Sequence, residues 1–400
     1  MAPPPYLHLA VALDGAGWHP GAWREEDARP AALFSPAYWV DLVQEAERGL
    51  LDFVSIEDSL AIQSNRRGRV DARTDQVRGR LDAVLVASRV APLTSAIGIM
   101  PVATTTHTEP FNVSRSLATL DFVSNGRAGV QLRVSASALE ADQFGRRTFS
   151  DPAGAGGDDP GPVDSVHDLF AEAADFIEVV RRLWDSWEDD AEIRDARTGR
   201  FVDREKLHYI DFEGKWFSVK GPSVTPRPPQ GHPVISVLAH VPVAFELAAR
   251  GADLVFTTPV DADDARTLVD TIHHHEGVVS RAGSPVRIFA DLVVFLDESA
   301  AAAQARKDRL DAADGRVTRY DATVFAGTPG DLADLLLEWQ AAGIEGFRLR
   351  PGAIPHDLDR ITRELVPILQ HGAAFRKHYG ESTLRARLGL PLVPNRYATA

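Results

Sequence analysis

A (β/α)8 TIM barrel with loop insertions, of the α/β class, is the fold that this 400-residue sequence predicts. Three observations lead there. Short apolar runs of strand length alternate with amphipathic stretches of helical spacing. About eight such strand and helix units are present, the number that closes a parallel sheet on itself. Each connection between successive strands is long enough for a right-handed crossover.

The first strand is Leu7 to Leu13. A helix follows from Ala37, because Trp39, Val43, Ala46 and Leu50 recur at helical spacing and Ser35 with Pro36 supplies its start. Strand two is Phe53 to Ile56, strand three Ala96 to Val102 and strand four Ala128 to Val134, with helices over Asp82 to Val90 and Asn112 to Ser124. Val234 to Leu238, Leu254 to Thr257, Val286 to Phe295 and Gly346 to Leu349 read as strands five to eight. Helices beginning at Val241, Asp263, Glu298, Asp331 and Leu358 interleave with them, one more than a minimal barrel requires.

Residues 1–400 read as one domain with insertions near 146–163 and 191–233. The first, rich in Gly, Asp and Pro, suits a mobile lid and a disordered surface loop equally. The second is polar and then Pro-dense. Insertions in a barrel extend its loops, and loops at the C-terminal ends of strands carry the chemistry.

Composition narrows the function. With 43 Lys and Arg against 57 Asp and Glu, the net charge is −14, and 44% of residues are hydrophobic. An acidic globular chain is a poor partner for nucleic acid. The absence of cysteine excludes disulfides, thiolate metal sites and cysteine nucleophiles, and fits a cytoplasmic location. The Pro-rich stretch Met1 to Tyr6 lacks a basic n-region and a secretory apolar run. No segment approaches the roughly 20 apolar residues that span a bilayer, so no membrane partner is expected.

His273, His274, His275 and Glu276 form the only dense group of metal-ligating types, but neighbouring helix residues point in different directions, so no metal is expected. No Gly-x-Ser-x-Gly elbow, Walker loop or Gly-x-Gly-x-x-Gly after a strand is present. The strand ends are more informative, because they converge on one face. Gly17, Trp18 and His19 follow strand one, and Glu57 and Asp58 follow strand two. Thr104, Thr105, Thr106 and His107 follow strand three, while Gln131, Arg133 and Ser135 end strand four. Hydroxyls, an amide, imidazoles and a carboxylate around one mouth suit an organic cofactor whose heterocyclic edge needs hydrogen bonds. Each residue has a plainer alternative. The threonines serve as β-branched strand residues, Asp58 caps the next helix, and His19 packs beside Trp18 and Trp23.

Five stretches in order carry a family resemblance: GWHPGAWR (Gly17 to Arg24), TEPFNVSRSLATLDFVSNGRAG (Thr108 to Gly129), LWDSWEDDA (Leu183 to Ala191), GPSVTPRPPQGHPVI (Gly221 to Ile235) and ELAARGADLVFT (Glu246 to Thr257). From about Leu7 to Tyr379 the chain resembles the bacterial luciferase-like flavin monooxygenases, in the branch with nitrilotriacetate and dibenzothiophene sulfone monooxygenases. The resemblance implies a TIM barrel that takes reduced FMN (FMNH2) from a separate NAD(P)H:flavin reductase. With O2 it would form a C4a-(hydro)peroxyflavin that oxygenates a small organic substrate. A homodimer or homotetramer is implied as well. By the same resemblance Asp58 lies near the flavin ring, and Thr104 and Thr105 are the hydroxyl residues after strand three. His19, in the first loop, is the catalytic candidate at the substrate or peroxide pocket.

Departures from the family pattern cluster where the flavin is expected. At strand four relatives read Trp-Asn-x-Val-Thr-Ser, whereas this chain has Val130, Gln131, Leu132, Arg133, Val134 and Ser135. Gln131 keeps an amide at longer reach, and Arg133 and Ser135 remain flavin-binding candidates. Leu169 and Phe170 stand where an Arg-Tyr pair is expected. After strand five, Val237, Leu238, Ala239, His240 and Val241, then Pro242, replace a Gln-Ala-Gly-x-Ser loop that wraps the flavin phosphate. Ala239 and His240 are the expected contacts there, with charge from His240 and Arg133 in compensation. That loop keeps two rivals open: a deazaflavin in place of FMN, and a non-catalytic barrel serving as a partner subunit.

Overall fold

The computed structural model describes residues 6–66, 69–149 and 163–398. Eight parallel strands close into a ring in chain order: β1 (His8–Leu13), β2 (Phe53–Ile56), β3 (Gly98–Thr104), β4 (Gly129–Arg133), β5 (Val234–Leu238), β6 (Leu254–Thr257), β7 (Arg287–Leu296) and β8 (Gly346–Pro351). The ring is completed where Val11 of β1 stands beside Leu349 of β8. Strands two, five and six have the bounds read from the sequence, while β3 runs on to Thr104.

Ahead of β8 the α-helices are α1 (Pro36–Arg48), α2 (Ala83–Val90), α3 (Pro110–Val123), a short α4 (Ala138–Phe144), a long α5 (Val163–Asp185), α6 (Pro242–Gly251), α7 (Ala262–Val278), α8 (Ala300–Asp314) and α9 (Pro329–Ala341); after β8 come His356–Arg360, Val366–His371 and Leu384–Arg387. Their starts have local causes. Ser35 accepts the N–H of Tyr38 to begin α1, Asp82 accepts that of Leu85 to begin α2, and Thr328 and Asp331 form a capping box at α9. His273 and His274 are exposed on α7, with His273 bonded to Glu276 at 2.9 Å. Among the described residues, no helix is long and apolar enough to cross a membrane.

Three features depart from the sequence reading. α4 and the long α5 lie between strands four and five, where the periodicity gives no helix. Thr323–Gly327 forms a further parallel strand beside Leu292–Leu296, along the edge of β7 that β6 leaves free beyond Ala290. Its half-buried residues lack a strong buried-strand pattern. The 191–233 insertion contains two small hairpins, pairing Glu192–Asp195 with Arg200–Val202 and Phe212–Glu213 with Ser218–Val219. Residues 150–162, which hold most of the lid or loop expected near 146–163, lie outside the described residues.

The barrel interior divides into two halves. The lower half is apolar, with Ala10, Phe53, Met100, Leu254 and Phe289 in one cluster, joined by Leu384 and Leu388 of the C-terminal segment. The upper half buries Ser55, Gln131, Ser236, Asp291, Arg348 and Arg350. Strand alternation produces this change, since Phe53, Ser55 and Glu57 share one face, as do Phe289 and Asp291. The outer faces, among them Val11, Val54, Ile99 and Leu349, pack with Leu42, Leu117 and Leu336 of the helices. Each such side chain, fully buried, contributes roughly 1.5–3 kcal/mol. At the base, Asp52 accepts from Leu9 N at 2.8 Å and Arg376 Nη2 at 2.5 Å, and its carboxylate meets His8 Nδ1 at 3.0 Å.

Candidate active site

The sequence Arg348-Leu349-Arg350 puts two guanidinium groups on the inner face of β8. Buried cations are costly unless paired, and both are paired. Arg348 donates to Asp291 through Nε at 2.8 Å and Nη2 at 2.5 Å, and through Nη1 to Ser55 Oγ at 3.3 Å and to Gln131 Oε1. Arg350 donates to the same Asp291 and to Asp321 at 2.5 Å. Aromatic faces complete the packing: Arg348 lies 3.7 Å from the Phe256 ring centre and Arg350 4.4 Å from that of Trp18. Burial pushes the Asp321 carboxyl up, but His240 and Arg350 outweigh it and hold the group well below the ordinary range.

Beside this network lies a cavity of about 270 Å³. Its walls are apolar, with Trp18, Val134, Phe170, Val237 and Leu238, and its polar lining is Glu57, Gln131, Arg133, Asp321, Arg348 and Arg350. Glu57 Oε1 and Arg350 Nε are buried there without a hydrogen-bond partner among the described residues. Such atoms call for a ligand or water.

Gln131 and Arg133 line the cavity. Arg133 is held by Thr104 Oγ1 at 2.9 Å and Glu140 Oε1 at 2.6 Å. Thr105 is engaged with β4, its N–H and hydroxyl both donating to Arg133 O. Ser135 donates its N–H to Thr106 Oγ1 and accepts from Ser137 N. Ala239 is buried, its N–H donating to Phe256 O. His240 sits at the rim, 2.9 Å from Thr258 Oγ1 and 3.6 Å from Asp321.

Of the expected residues, Gln131 and Arg133 are in the cavity lining, while Thr104, Thr105, Ser135, Ala239 and His240 stand outside it, as do Asp58 and His19. Asp58 accepts the N–H groups of Ser59 at 2.7 Å and Ala83 at 3.2 Å, so it ties the loop to the start of α2, the capping alternative; burial pushes its carboxyl up. His19 is 1% exposed and faces Asp311 and Thr318 at 3.1 Å, while its Nδ1 accepts from Gly21 N at 2.9 Å. Both ring nitrogens are engaged in packing the first loop, and burial lowers the pKa of the imidazole. Arg348, Arg350, Asp291 and Asp321 were not singled out from sequence. Their available signal was two arginines at alternate positions in one strand and an aspartate inside another, all in apolar runs.

The description luciferase-like monooxygenase belongs to the family model that matches residues 16–313. The chain belongs to this family. As a luciferase-like monooxygenase it is a flavin-dependent monooxygenase, and several of its relatives are named monooxygenases. It is 31% identical to N-acetyl-S-(2-succino)cysteine monooxygenase of Bacillus subtilis (strain 168), over 98% of both chains. It is 29% identical to nitrilotriacetate monooxygenase component A of Aminobacter aminovorans, again over 98% of both. EDTA monooxygenase from Chelativorans sp. BNC1 shares the fold, with a TM-score of 0.82 at 22% identity, over 98% of this chain and 100% of that one.

A flavin ring suits this luciferase-like monooxygenase at one end of the cavity. The apolar walls and the unpartnered polar atoms match an aromatic heterocycle with a hydrogen-bonding edge. The start of α6 offers an anion little. Pro242 at the first position of α6 has no N–H, and Val241 before it supplies no capping oxygen.

Proposed function

We propose that this luciferase-like monooxygenase is the oxygenating component of a two-component system, taking FMNH2 from a separate NAD(P)H:flavin reductase and using O2 to oxygenate a small organic substrate. The mouth cavity carries the reading, because its apolar walls and polar lining suit a flavin ring beside a small molecule. When bound, the reduced flavin supplies the electrons with which one oxygen atom of O2 goes to substrate and the other to water.

The chain's own residues bind, orient and exclude water. Gln131 gives its Oε1 to Arg348, which leaves the amide N–H groups to donate to an acceptor on the ring. Trp18, Val134 and Phe170 keep water from the reacting atoms. Arg133 is the cation available for the phosphate and His240 adds ring nitrogens at the rim, with Ala239 fixing the strand that leads to His240. Thr104, Thr105, Ser135 and Asp58 hold these loops, and His19 holds the loop that carries Trp18. A homodimer or homotetramer belongs to the same reading.

The test is an anaerobic titration with reduced FMN, followed by rapid mixing with O2 while flavin absorbance is recorded. We expect a saturable complex whose reoxidation differs from that of free FMN. Neither binding nor an altered reaction would overturn the reading. The Val241-Pro242 helix start favours a second reading in which a deazaflavin binds instead, and competition between the two cofactors separates them.

A further inference from the structure

We propose that Glu57 is a proton-transfer residue, standing between the mouth cavity and a second, water-sized pocket that leads to the Asp14–Arg80 ion pair. The proposal rests on reading the mouth cavity as the flavin site. Glu57 follows β2 directly, and its N–H donates to Leu13 O at 3.1 Å, which fixes the backbone. The side chain therefore continues the inward face of Phe53 and Ser55 to the rim of the ring.

Glu57 borders both spaces. On one side are Gln131, Arg348 and the mouth cavity. On the other is a pocket of about 20 Å³, bordered also by Asp14, Gln63 and Arg80 and by apolar groups such as Trp39 and Val77. A space of that size holds one water, and a buried water needs two to four polar partners, which these side chains offer. Asp14 and Arg80 are joined at 3.0 and 2.5 Å and are partly exposed, so the pocket reaches solvent through a charged pair.

The carboxyl is free to carry a proton. Glu57 Oε1 has no hydrogen-bond partner among the described residues, and Arg348 Nη1, at 3.9 Å, is already committed to Ser55 and Gln131. The charged groups facing Glu57 are Arg348 and Arg350 on β8, Asp14 after β1 and Arg80 ahead of α2. Burial pushes the carboxyl up and Asp14 adds to it, against the pull of the arginines. A carboxyl raised in this way keeps its proton to higher pH than an exposed one, so it can act as donor as well as acceptor.

The transfer moves a proton and no electrons. The Glu57 O–H bond breaks as a bond from hydrogen to an acceptor atom of the bound ligand forms, which leaves a carboxylate. The carboxylate then takes a solvent proton relayed by the pocket water, and the reverse sequence returns a proton from ligand to solvent.

Infrared difference spectroscopy of the full chain tests this, with wild type, Glu57→Gln and Glu57→Asp compared across pH, first without ligand and then with FMN. We expect a protonated-carboxyl band that persists above the ordinary carboxylate range, that Glu57→Gln lacks and that shifts when FMN binds. The pH profile of flavin reoxidation should lose one limb in Glu57→Gln and regain it in Glu57→Asp. Carboxyl labelling with 13C and NMR titration of the wild type give the same protonation reading if a variant fails to fold. Identical carboxyl bands in wild type and Glu57→Gln, or an FMN complex that leaves the Glu57 band unmoved, would overturn the proposal. A Glu57 band in a chain that binds no FMN would support the protonation of Glu57 and overturn the FMN reading instead.

Discussion

Asp291 of β7 and Arg348 of β8 are register partners inside the barrel, joined by two hydrogen bonds of 2.8 and 2.5 Å, with neither residue more than 1% exposed. The same carboxylate also receives Arg350, so one anion compensates two buried cations. Removing it leaves both guanidinium groups inside a low-dielectric space with less compensation. Asp291→Ala is expected to lower unfolding free energy by about 3–5 kcal/mol, read from urea denaturation.

Gln131→Leu removes the amide while keeping similar bulk. Arg348 then loses one acceptor, and the cavity loses the N–H donors that would face the ring edge. Affinity for FMN should fall about tenfold, close to the worth of one hydrogen bond, as measured by flavin fluorescence titration. An unchanged affinity would remove Gln131 from the binding set.

Gly17 has φ +132°, and a Cβ on it would come within 2.5 Å of Gly352 O and 2.7 Å of Ala353 Cα. The next two residues hold that approach, Trp18 N donating to Pro351 O at 2.9 Å and His19 N to Gly352 O at 3.0 Å. Gly17→Ala is therefore expected to cost about 1–3 kcal/mol and to shift Trp18 from the cavity wall. Thermal unfolding reads the first effect, and tryptophan emission with FMN titration reads the second.

Acid should expose the role of Asp52. Burial opposes its ionisation, but His8 and Arg376 outweigh that and hold the carboxyl at about 2, below the ordinary 3.8. The folded state therefore binds the proton less readily than the unfolded chain. This stabilisation, on the order of 2 kcal/mol, is full above the unfolded value and is lost as pH falls through the folded one. The stability gap between wild type and Asp52→Asn should be full at and above about pH 5 and narrow toward about pH 2 in denaturant titrations.

The ring was legible because parallel strands covered by helices are continuous apolar runs, and Val234–Leu238 and Leu254–Thr257 are bounded by turn residues. The extra strand was not, since Thr323–Gly327 is half-buried against only the outer part of β7. Gln131 and Arg133 were found at the cavity because strand ends converge. The core of the site was missed for a geometric reason. Arg348 and Asp291 lie 57 positions apart, and their pairing exists only once β7 and β8 are in register. His19 and Asp58 carry the right chemistry at strand ends, but Asp58 accepts backbone N–H groups and His19 meets Gly21 N, Asp311 and Thr318.

The added strand also divides the rim mechanically. Thr323 Oγ1 donates to Pro259 O at 2.7 Å, Asp321 accepts from Arg350 at 2.5 Å, and His240 stands 3.6 Å from the same Asp321. These links stitch the ends of β5, β6 and β8 into a brace on one arc of the mouth. New pocket shapes then have little freedom along that arc.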